Sequence, residues 1–344
     1  MVLALLWTVL GLLALGAAAA VVTRLLVRRI EAAHPPVGRF VEVGGRRIHV
    51  IDVPSAVPDG PAIVVLHGTV SSALDPYAAL AGPLSRLGRA LFVDRPGHGY
   101  STRDPARDVT LAGQAEAVVG VLDRLGIGRA VLVGHSFGGA VAAALAVLRP
   151  ERVAGLVLLA PATHPWPGPL AFGYRLIGSA IGGWLLGPTV TTPLGLMMLD
   201  PGLVATFAPD PLPEGYRRRS GIELALRPAA FRASADEIGA LSAELARLAP
   251  RYRDIRVPTV VIAGAGDRVV SNEIHARAFA DAVPGCRLMM LDGAGHIPHH
   301  GRPELVVEAV EWVLARAAGA ASPAPEGGAA EALAAGAATP TDPG

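Results

Sequence analysis

The sequence predicts an α/β domain built on a mostly parallel sheet that helices cover on both faces. Three observations lead to this fold class. Short apolar runs recur along the chain, segments of helical spacing separate them, and 51% of the 344 residues are hydrophobic. Uninterrupted apolar runs are typical of strands buried on both faces, and strands that alternate with helices build parallel sheets. A chain of this composition can also bury a large core.

The first 30 residues form a separate segment. Val2–Val22 carries no charge, and Thr8 is its one polar side chain. A helix of this length spans about 30 Å, which matches the hydrocarbon core of a bilayer. Arg24, Arg28 and Arg29 follow directly. Because basic residues favour the cytoplasmic side, we expect residues 1–30 to be a transmembrane anchor in the inner membrane, with the following domain in the cytoplasm.

A cleaved signal peptide is the alternative for this segment. Such signals begin with a basic stretch and have an apolar region of about 7–15 residues. Here no basic residue precedes the apolar run, and the run is longer. Ala17–Ala20 nevertheless offers a cleavage site, and cleavage there would place the domain in the periplasm or outside the cell.

The strands and helices of the sheet follow in chain order. Phe40–Val43 and Arg47–Ile51 alternate around Gly44-Gly45, which predicts a hairpin. Further strands are predicted at Ala62–Leu66, Ala90–Val93, Ala130–Val133, Val153–Leu159, Thr259–Ala263 and Cys286–Leu291. Helical spacing marks Leu111–Leu125, Ala140–Leu148 and Glu304–Arg316.

Residues 161–250 interrupt this alternation. They contain no convincing strand, and helical pieces are predicted near Leu170–Leu186, Tyr216–Leu226 and Ala233–Leu248. We interpret the segment as a helical cap over the carboxyl edge of the sheet, where open α/β sheets bind ligands. The core would then comprise residues 31–160 and 251–317. Residues 318–344 are rich in Ala, Gly and Pro, which predicts a disordered tail.

Charge and cysteine content exclude several classes of function. Thirty basic and 29 acidic residues give a net charge of +1, so no nucleic-acid footprint is expected. The chain has no lysine, which excludes a Schiff-base mechanism. The one cysteine, Cys286, excludes an internal disulfide and a metal site of several thiolates.

A candidate nucleophile lies in Gly134-His135-Ser136-Phe137-Gly138, which fits the pattern G-x-S-x-G. The pattern follows a predicted strand and opens a predicted helix, the context in which it marks a nucleophile elbow. Such a tight turn needs close neighbours without side chains, and Gly134 and Gly138 meet that need. Ser136 is therefore the predicted nucleophile.

A serine nucleophile needs a base, and the base needs an orienting acid; for this elbow they follow in the order acid, then histidine. Asp267 follows the strand Thr259–Ala263, and His296 follows the last strand. His299 and His300 compete for the role of base, and Asp267 could instead cap a helix near Ser271. No acid follows Val153–Leu159, so an acid at that strand end is excluded.

The segment His67-Gly68-Thr69 follows the strand Ala62–Leu66. Gly68 lets the backbone bend, so that the N–H groups of Thr69 and Phe137 would form an oxyanion hole. We interpret His67 as a support of this loop, together with the polar turn Asp94–Ser101. A metal site of His67, His98 and Asp94 does not have the spacing of known metal patterns, and no metal is expected.

Residues from about 40 to 316 resemble the α/β-hydrolase fold superfamily. The resemblance rests on His67-Gly68, Asp94–Ser101, Gly134–Gly139, Gly264–Asp267 and Gly295-His296, which occur in family order. The chain looks most like the serine esterase, cofactor-free haloperoxidase and epoxide-hydrolase-like group. This resemblance implies a Ser136–His296–Asp267 triad, a helical cap and no metal or organic cofactor. Haloalkane dehalogenases and epoxide hydrolases carry Asp where this chain has Ser136, which disfavours both activities.

The function expected from the resemblance is hydrolysis of an ester-like bond in a small or lipophilic substrate. A cofactor-free perhydrolase or a C–C bond hydrolase would use the same residues, and a non-catalytic ligand-binding protein is a further alternative. In the cap, Trp166, Phe172, Tyr174 and Trp184 either line a lipophilic tunnel or pack the cap on the sheet. The basic run Arg217–Arg219 is a hypothetical contact to lipid phosphates. The expected partners are thus the substrate and, through the first helix, a membrane; oligomeric state stays open.

Overall fold

The computed structural model describes residues 1–57, 60–168 and 172–319. Within these residues the chain forms an eight-stranded sheet. In chain order, its strands are β1 (Arg39–Val43), β2 (Arg46–Val53), β3 (Ala62–Leu66), β4 (Arg89–Val93), β5 (Ala130–His135), β6 (Val153–Leu159), β7 (Thr259–Gly264) and β8 (Arg287–Leu291). Their order in the sheet is β1-β2-β4-β3-β5-β6-β7-β8. β2 pairs antiparallel with β1 and β4, and all other pairs are parallel, which confirms the predicted mostly parallel sheet.

Helices cover both faces of the sheet. In the described residues they are α1 (Val2–Ala33), α2 (Leu74–Ser85), α3 (Leu111–Arg124), α4 (Phe137–Leu148), α5 (Phe172–Gly178), α6 (Ala180–Leu185), α7 (Thr192–Phe207), α8 (Tyr216–Ser220), α9 (Pro228–Leu248), α10 (Ala278–Ala282), α11 (Pro298–Gly301) and α12 (Pro303–Ala317). One core cluster joins the sheet to α3, α4, α10 and the end of α9. A second joins the opposite face to α2 and α12. The central strands are apolar throughout because both of their faces are buried.

The segment between β6 and β7 contains helices and turns but no strand among its described residues. This agrees with the expected helical composition, while its limits at residues 161 and 250 stay a prediction. Two of its helices differ from the sequence prediction. Gly221, at φ +57°, separates α8 from a 3₁₀ turn at Ile222–Leu226, and α9 begins at Pro228 because proline suits a first helical turn.

Four helices of the described residues have no counterpart in the sequence prediction: the short α10 and α11, and the longer α2 and α7. α2 contains Pro76, Gly82 and Pro83, and α7 contains Pro193, Pro201 and two glycines, so both lack the usual helix signals. Tertiary packing compensates: α2 buries Leu80 and Leu84, and α7 buries Leu199 and Leu203.

α1 is longer than the predicted segment of 30 residues and is apolar and long enough to cross a membrane. Its apolar half is exposed, whereas Thr23, Ile30 and the following His34 are buried. The anchor, the signal-peptide alternative and the predicted tail stay predictions; residues 320–344 of that tail lie outside the described residues.

Candidate active site

Ser136 occupies the sharp turn between β5 and α4. Its backbone has φ +52° and ψ −115°, a strained conformation for a residue with a side chain. The turn is tight because glycines flank it: a Cβ on Gly138 would lie 2.3 Å from the carbonyl oxygen of Leu66. A Cβ on Gly134 would lie 2.5 Å from the carbonyl oxygen of Gly138. The turn leaves Ser136 half-buried at the carboxyl edge of the sheet.

His296 and Asp267 meet in the loops that follow β8 and β7. The Nδ1 atom of His296 lies 2.8 Å from Oδ2 of Asp267, and both side chains are almost fully buried. The other carboxylate oxygen accepts hydrogen bonds from the N–H groups of Val269 at 2.7 Å and Val270 at 3.1 Å. Asp267 therefore stabilises its turn and also orients the imidazole of His296.

His135 links the serine turn to the histidine loop, and the sequence analysis assigned it no role. Its Nε2–H donates to the carbonyl oxygen of His296 at 2.9 Å, and the two imidazole rings lie 4.9 Å apart. Burial holds the pKa of His135 well below its usual value, so the ring is neutral. Because His135 precedes Ser136, this bond places the elbow directly beside the histidine loop.

The loop His67–Thr69 lies against the same turn. A Cβ on Gly68 would lie 3.2 Å from the Cβ of Ser136, so only glycine fits there without displacement. Phe137 is the first residue of α4, where backbone N–H groups lack intrahelical partners. Within the described residues, the N–H groups of Thr69 and Phe137 have no hydrogen-bond acceptor. In this part of the chain both N–H groups are therefore unpaired, as the predicted oxyanion hole requires, and their catalytic role stays a prediction.

His67 joins this loop to the turn that follows β4 through two hydrogen bonds. Its Nε2 accepts the N–H of Arg95 at 3.0 Å, so the proton is on Nδ1, which donates to the carbonyl oxygen of Gly68 at 2.8 Å. Burial lowers the pKa of His67 to about 3. The neutral ring thus acts as a fixed donor and acceptor between the loop and the turn after β4.

A buried ion pair connects the cap to the loop, and the sequence analysis did not anticipate it. The guanidinium of Arg95 binds both carboxylate oxygens of Glu237 on α9, at 2.7 and 2.9 Å. It also donates to the carbonyl oxygens of His67 at 2.9 Å and Gly68 at 3.0 Å. Glu237 in turn accepts the hydroxyl of Thr69 at 3.1 Å. A single glutamate in an amphipathic helix gives no sequence signal for such a contact.

His299 and His300, the competing candidates for the base, contact Asp75 on α2. The Nε2 atoms of His300 and His299 lie 2.9 and 3.5 Å from its carboxylate oxygens. Tyr216 of α8 donates its hydroxyl to the same carboxylate at 3.0 Å. Asp75, His299 and His300 are close enough to hold a metal ion, but the hydrogen bonds already satisfy the carboxylate. Among these three histidines, His296 alone contacts Asp267 in the described part of the chain.

The cap aromatics do not form one tunnel. Trp166 packs against His275, and Tyr174 stacks on Phe231 with 5.7 Å between ring centroids. Phe172 and Trp184 are exposed on the outside, so the tunnel hypothesis is wrong for these two.

The basic run in the cap is partly paired. Arg217 of α8 binds Glu223 and Asp200, which weakens the hypothesis that all three arginines Arg217–Arg219 contact phosphates.

Comparisons with known proteins agree with this geometry. A family model described as alpha/beta hydrolase fold matches residues 61–303. The chain is 29% identical over 258 residues to an uncharacterized hydrolase, YugF, of Bacillus subtilis strain 168, covering 73% of this chain and 89% of that protein. It is 28% identical over 293 residues to a 2-hydroxymuconate semialdehyde hydrolase of Pseudomonas putida, covering 82% and 96%. The solved structure of a bacterial membrane phospholipase A matches with a TM-score of 0.65 at 24% identity, covering 93% of this chain and all (100%) of the other. Likeness at that identity shows the fold alone.

Proposed function

Because the chain belongs to the α/β-hydrolase fold family, we propose that it is a serine hydrolase that cleaves an ester-like bond of a small or lipophilic substrate. One observation carries the proposal. The strained Ser136 turn and the hydrogen-bonded pair of His296 and Asp267 meet at one sheet edge, joined by the bond from His135 to the His296 carbonyl. A nucleophile, a base and an orienting acid are what acyl transfer requires.

In the proposed mechanism, the Ser136 hydroxyl attacks the substrate carbonyl while Nε2 of His296 takes its proton. The N–H groups of Thr69 and Phe137 stabilise the oxyanion of the tetrahedral intermediate. His296 then gives the proton to the leaving group, and an acyl-enzyme remains on Ser136. Asp267 fixes the tautomer of His296 and stabilises its charged form. Water, activated by His296, hydrolyses the acyl-enzyme.

A fluorophosphonate probe tests the activated serine. We expect it to label the wild-type protein and the Ser85→Ala control, which removes a half-buried serine hydroxyl of α2 that bonds to the Gly82 carbonyl, but not Ser136→Ala. His296→Ala should reduce labelling strongly, because the hydroxyl then has no base. Labelling of Ser136→Ala equal to wild type would refute the assignment of the nucleophile. Absence of labelling in a folded wild-type protein would favour a non-catalytic ligand-binding protein.

C–C bond hydrolysis is the second candidate, since a Pseudomonas putida relative is named 2-hydroxymuconate semialdehyde hydrolase. Assays with that semialdehyde and with a series of p-nitrophenyl esters separate the two activities. Turnover of the esters alone supports the ester hydrolase; turnover of the semialdehyde alone supports the alternative. Bromination of a phenol indicator in peroxide and acetate would instead identify a perhydrolase. All three activities should disappear in Ser136→Ala.

We also propose that α1 anchors the enzyme in the inner membrane with its catalytic domain in the cytoplasm. The exposed uncharged half of α1 and the arginines that follow it support this orientation. Protease treatment of spheroplasts tests it: protection of the domain supports the orientation. Digestion with intact membranes, or a mature protein that lacks α1, would support a periplasmic or secreted enzyme.

A further inference from the structure

The cap presents an apolar surface that the proposed mechanism does not use. Its residues project from α6 and α7 and are separated by helical spacings. We call it the lipid face and define it as Ile181, Trp184, Leu185, Leu194, Met197 and Met198. Ile181 and Trp184 are both 78% exposed, and Met197 is 79% exposed. Soluble proteins rarely expose large apolar side chains in such a group, and a patch of this kind marks an interaction site.

The lipid face is continuous with the candidate anchor. α1 packs against the turn Gly187–Thr191, which joins α6 to α7, and against α7 itself. The hydroxyl of Thr23 donates to the carbonyl oxygen of Thr189 at 3.1 Å. Thr23 directly follows the uncharged run of α1 and precedes Arg24. If the run lies in hydrocarbon, the turn that bears Thr189 lies at the membrane boundary.

Further bonds fix the cap relative to α1. Arg227, at the start of α9, binds Glu31 of α1 at 2.8 Å. His34, just after α1, lies 3.8 Å from the carboxylate of Glu223. These contacts fix the orientation of the cap relative to the carboxyl-terminal part of α1, from Thr23 onwards. A membrane that α1 spans therefore also determines the direction in which the lipid face points.

We propose that the lipid face docks into the interface of the bilayer that α1 spans, with Trp184 at the level of the headgroups. A tryptophan with a polar N–H on an apolar ring suits this level, and methionine and leucine side chains suit the acyl region beneath it. The exposed Arg24, Arg28 and Arg29 lie on the same side, where anionic headgroups attract them. A bilayer-derived ester with long acyl chains is then the substrate class. The proposal rests on the proposed membrane anchor and serine hydrolase activity.

Site-specific fluorescence in lipid vesicles tests the docking with the full chain. A bimane label is placed at Met197→Cys, at Leu12→Cys in the exposed half of α1, or at Arg247→Cys. The last is a matched exposed position on α9, about 30 Å along that helix from Arg227. The native Cys286 should react little, because burial raises the pKa of its thiol to about 12.

We expect nitroxide-labelled lipids to quench the labels at residues 12 and 197, and aqueous iodide to quench the label at residue 247. Quenching at residue 12 but not at residue 197 would overturn the docking and leave the anchor intact. Absence of lipid quenching at both positions would refute the anchor, and the docking with it.

A second measurement uses turnover. Met197→Glu with Trp184→Glu places charges on the lipid face without touching the catalytic groups. We expect about a tenfold loss of turnover on long-chain esters packed in vesicles, since membrane binding follows buried apolar area. Turnover of a soluble short-chain ester should not change. Equal turnover of the vesicle substrate by this variant and by wild type would refute the role of the lipid face. The proposed chemistry is tested separately, because Ser136→Ala should lose turnover of both the vesicle substrate and the soluble ester.

Discussion

Removing the carboxylate of Glu237 tests how the cap controls the active site. In wild type, Arg95 has no exposed side-chain surface, and Glu237 is 2% exposed. Although burial alone would raise it, the charge of Arg95 holds the pKa of Glu237 well below its usual range. Glu237→Ala leaves the guanidinium buried without its counter-charge, while its bonds to the His67 and Gly68 carbonyls remain.

Breaking a buried ion pair by removing one partner costs about 3–5 kcal/mol of unfolding free energy. The matched control is Asp236→Asn on the same helix. Asp236 binds Arg103 and Arg232, but it is 19% exposed. Pairs nearer the solvent contribute about 0–1 kcal/mol, so the control should be close to wild type. Urea unfolding followed by circular dichroism measures both differences.

The same variant should slow catalysis. The Thr69 hydroxyl loses its acceptor at 3.1 Å, so the backbone N–H of Thr69 is less firmly placed in the proposed oxyanion hole. Loss of one oxyanion donor costs about 10²–10³ in kcat, and partial misplacement should cost about tenfold, with little change in KM. Glu237→Ala with wild-type stability and wild-type kcat would refute the reasoning. A double variant, Arg95→Met with Glu237→Leu, should regain part of the stability but not kcat, because the His67 carbonyl then lacks its donor and the Gly68 carbonyl keeps only the Nδ1–H of His67.

Three further predictions follow from single contacts. Gly68→Ala should lower kcat by at least about tenfold with little unfolding, since its Cβ would lie 3.2 Å from the Cβ of Ser136 and move the oxyanion loop; steady-state kinetics on a soluble ester measures this. Tyr216→Phe removes the 3.0 Å bond to Asp75 and should lower the unfolding free energy by about 1 kcal/mol, measured in urea, while fluorophosphonate labelling of Ser136 persists. Burial lowers the folded-state pKa of His67 from its ordinary value of 6.5 to about 3. Its contribution to stability is therefore complete above pH 6.5 and is lost as the pH falls towards 3, so the urea midpoint should decline through that window, and less so in His67→Asn. An unchanged midpoint in wild type between pH 7 and pH 4 would contradict this sign.

The sheet and the order of the candidate catalytic residues were predictable because local signals carry them. The elbow needs glycine on both sides of Ser136 and a strand before it, and these features stand together in the sequence. Asp267 and His296 follow apolar runs, and the carboxyl ends of parallel strands meet at one edge. The position of each of these residues at the sheet edge could therefore be predicted once the strand before it was recognised. The assignments themselves await the labelling experiment.

The contacts that hold the site together were not predictable in the same way. Arg95 and Glu237 are far apart in sequence, and each alone has the pattern of an ordinary charged residue. Their pairing depends on how α9 crosses the sheet edge, which periodicity does not determine. The outward direction of Trp184 was missed for a related reason: a large apolar side chain in a short helix predicts burial, whereas this one is exposed.

α9 joins the two proposals of membrane docking and catalysis in one structural element. It begins beside α1, where Arg227 binds Glu31, and carries Glu237 to the oxyanion loop. A rise of about 1.5 Å per residue places Glu237 about 15 Å along the helix from Arg227. If α1 spans the bilayer with Thr23 at the membrane boundary, Glu31 lies about 12 Å further along α1, so the path from the boundary through Arg227 to Glu237 is about 27 Å along the two helices. Through this path α9 ties the predicted oxyanion loop to the proposed anchor, so a change in how α1 sits in the bilayer can reach the catalytic loop through Arg227 and Glu237.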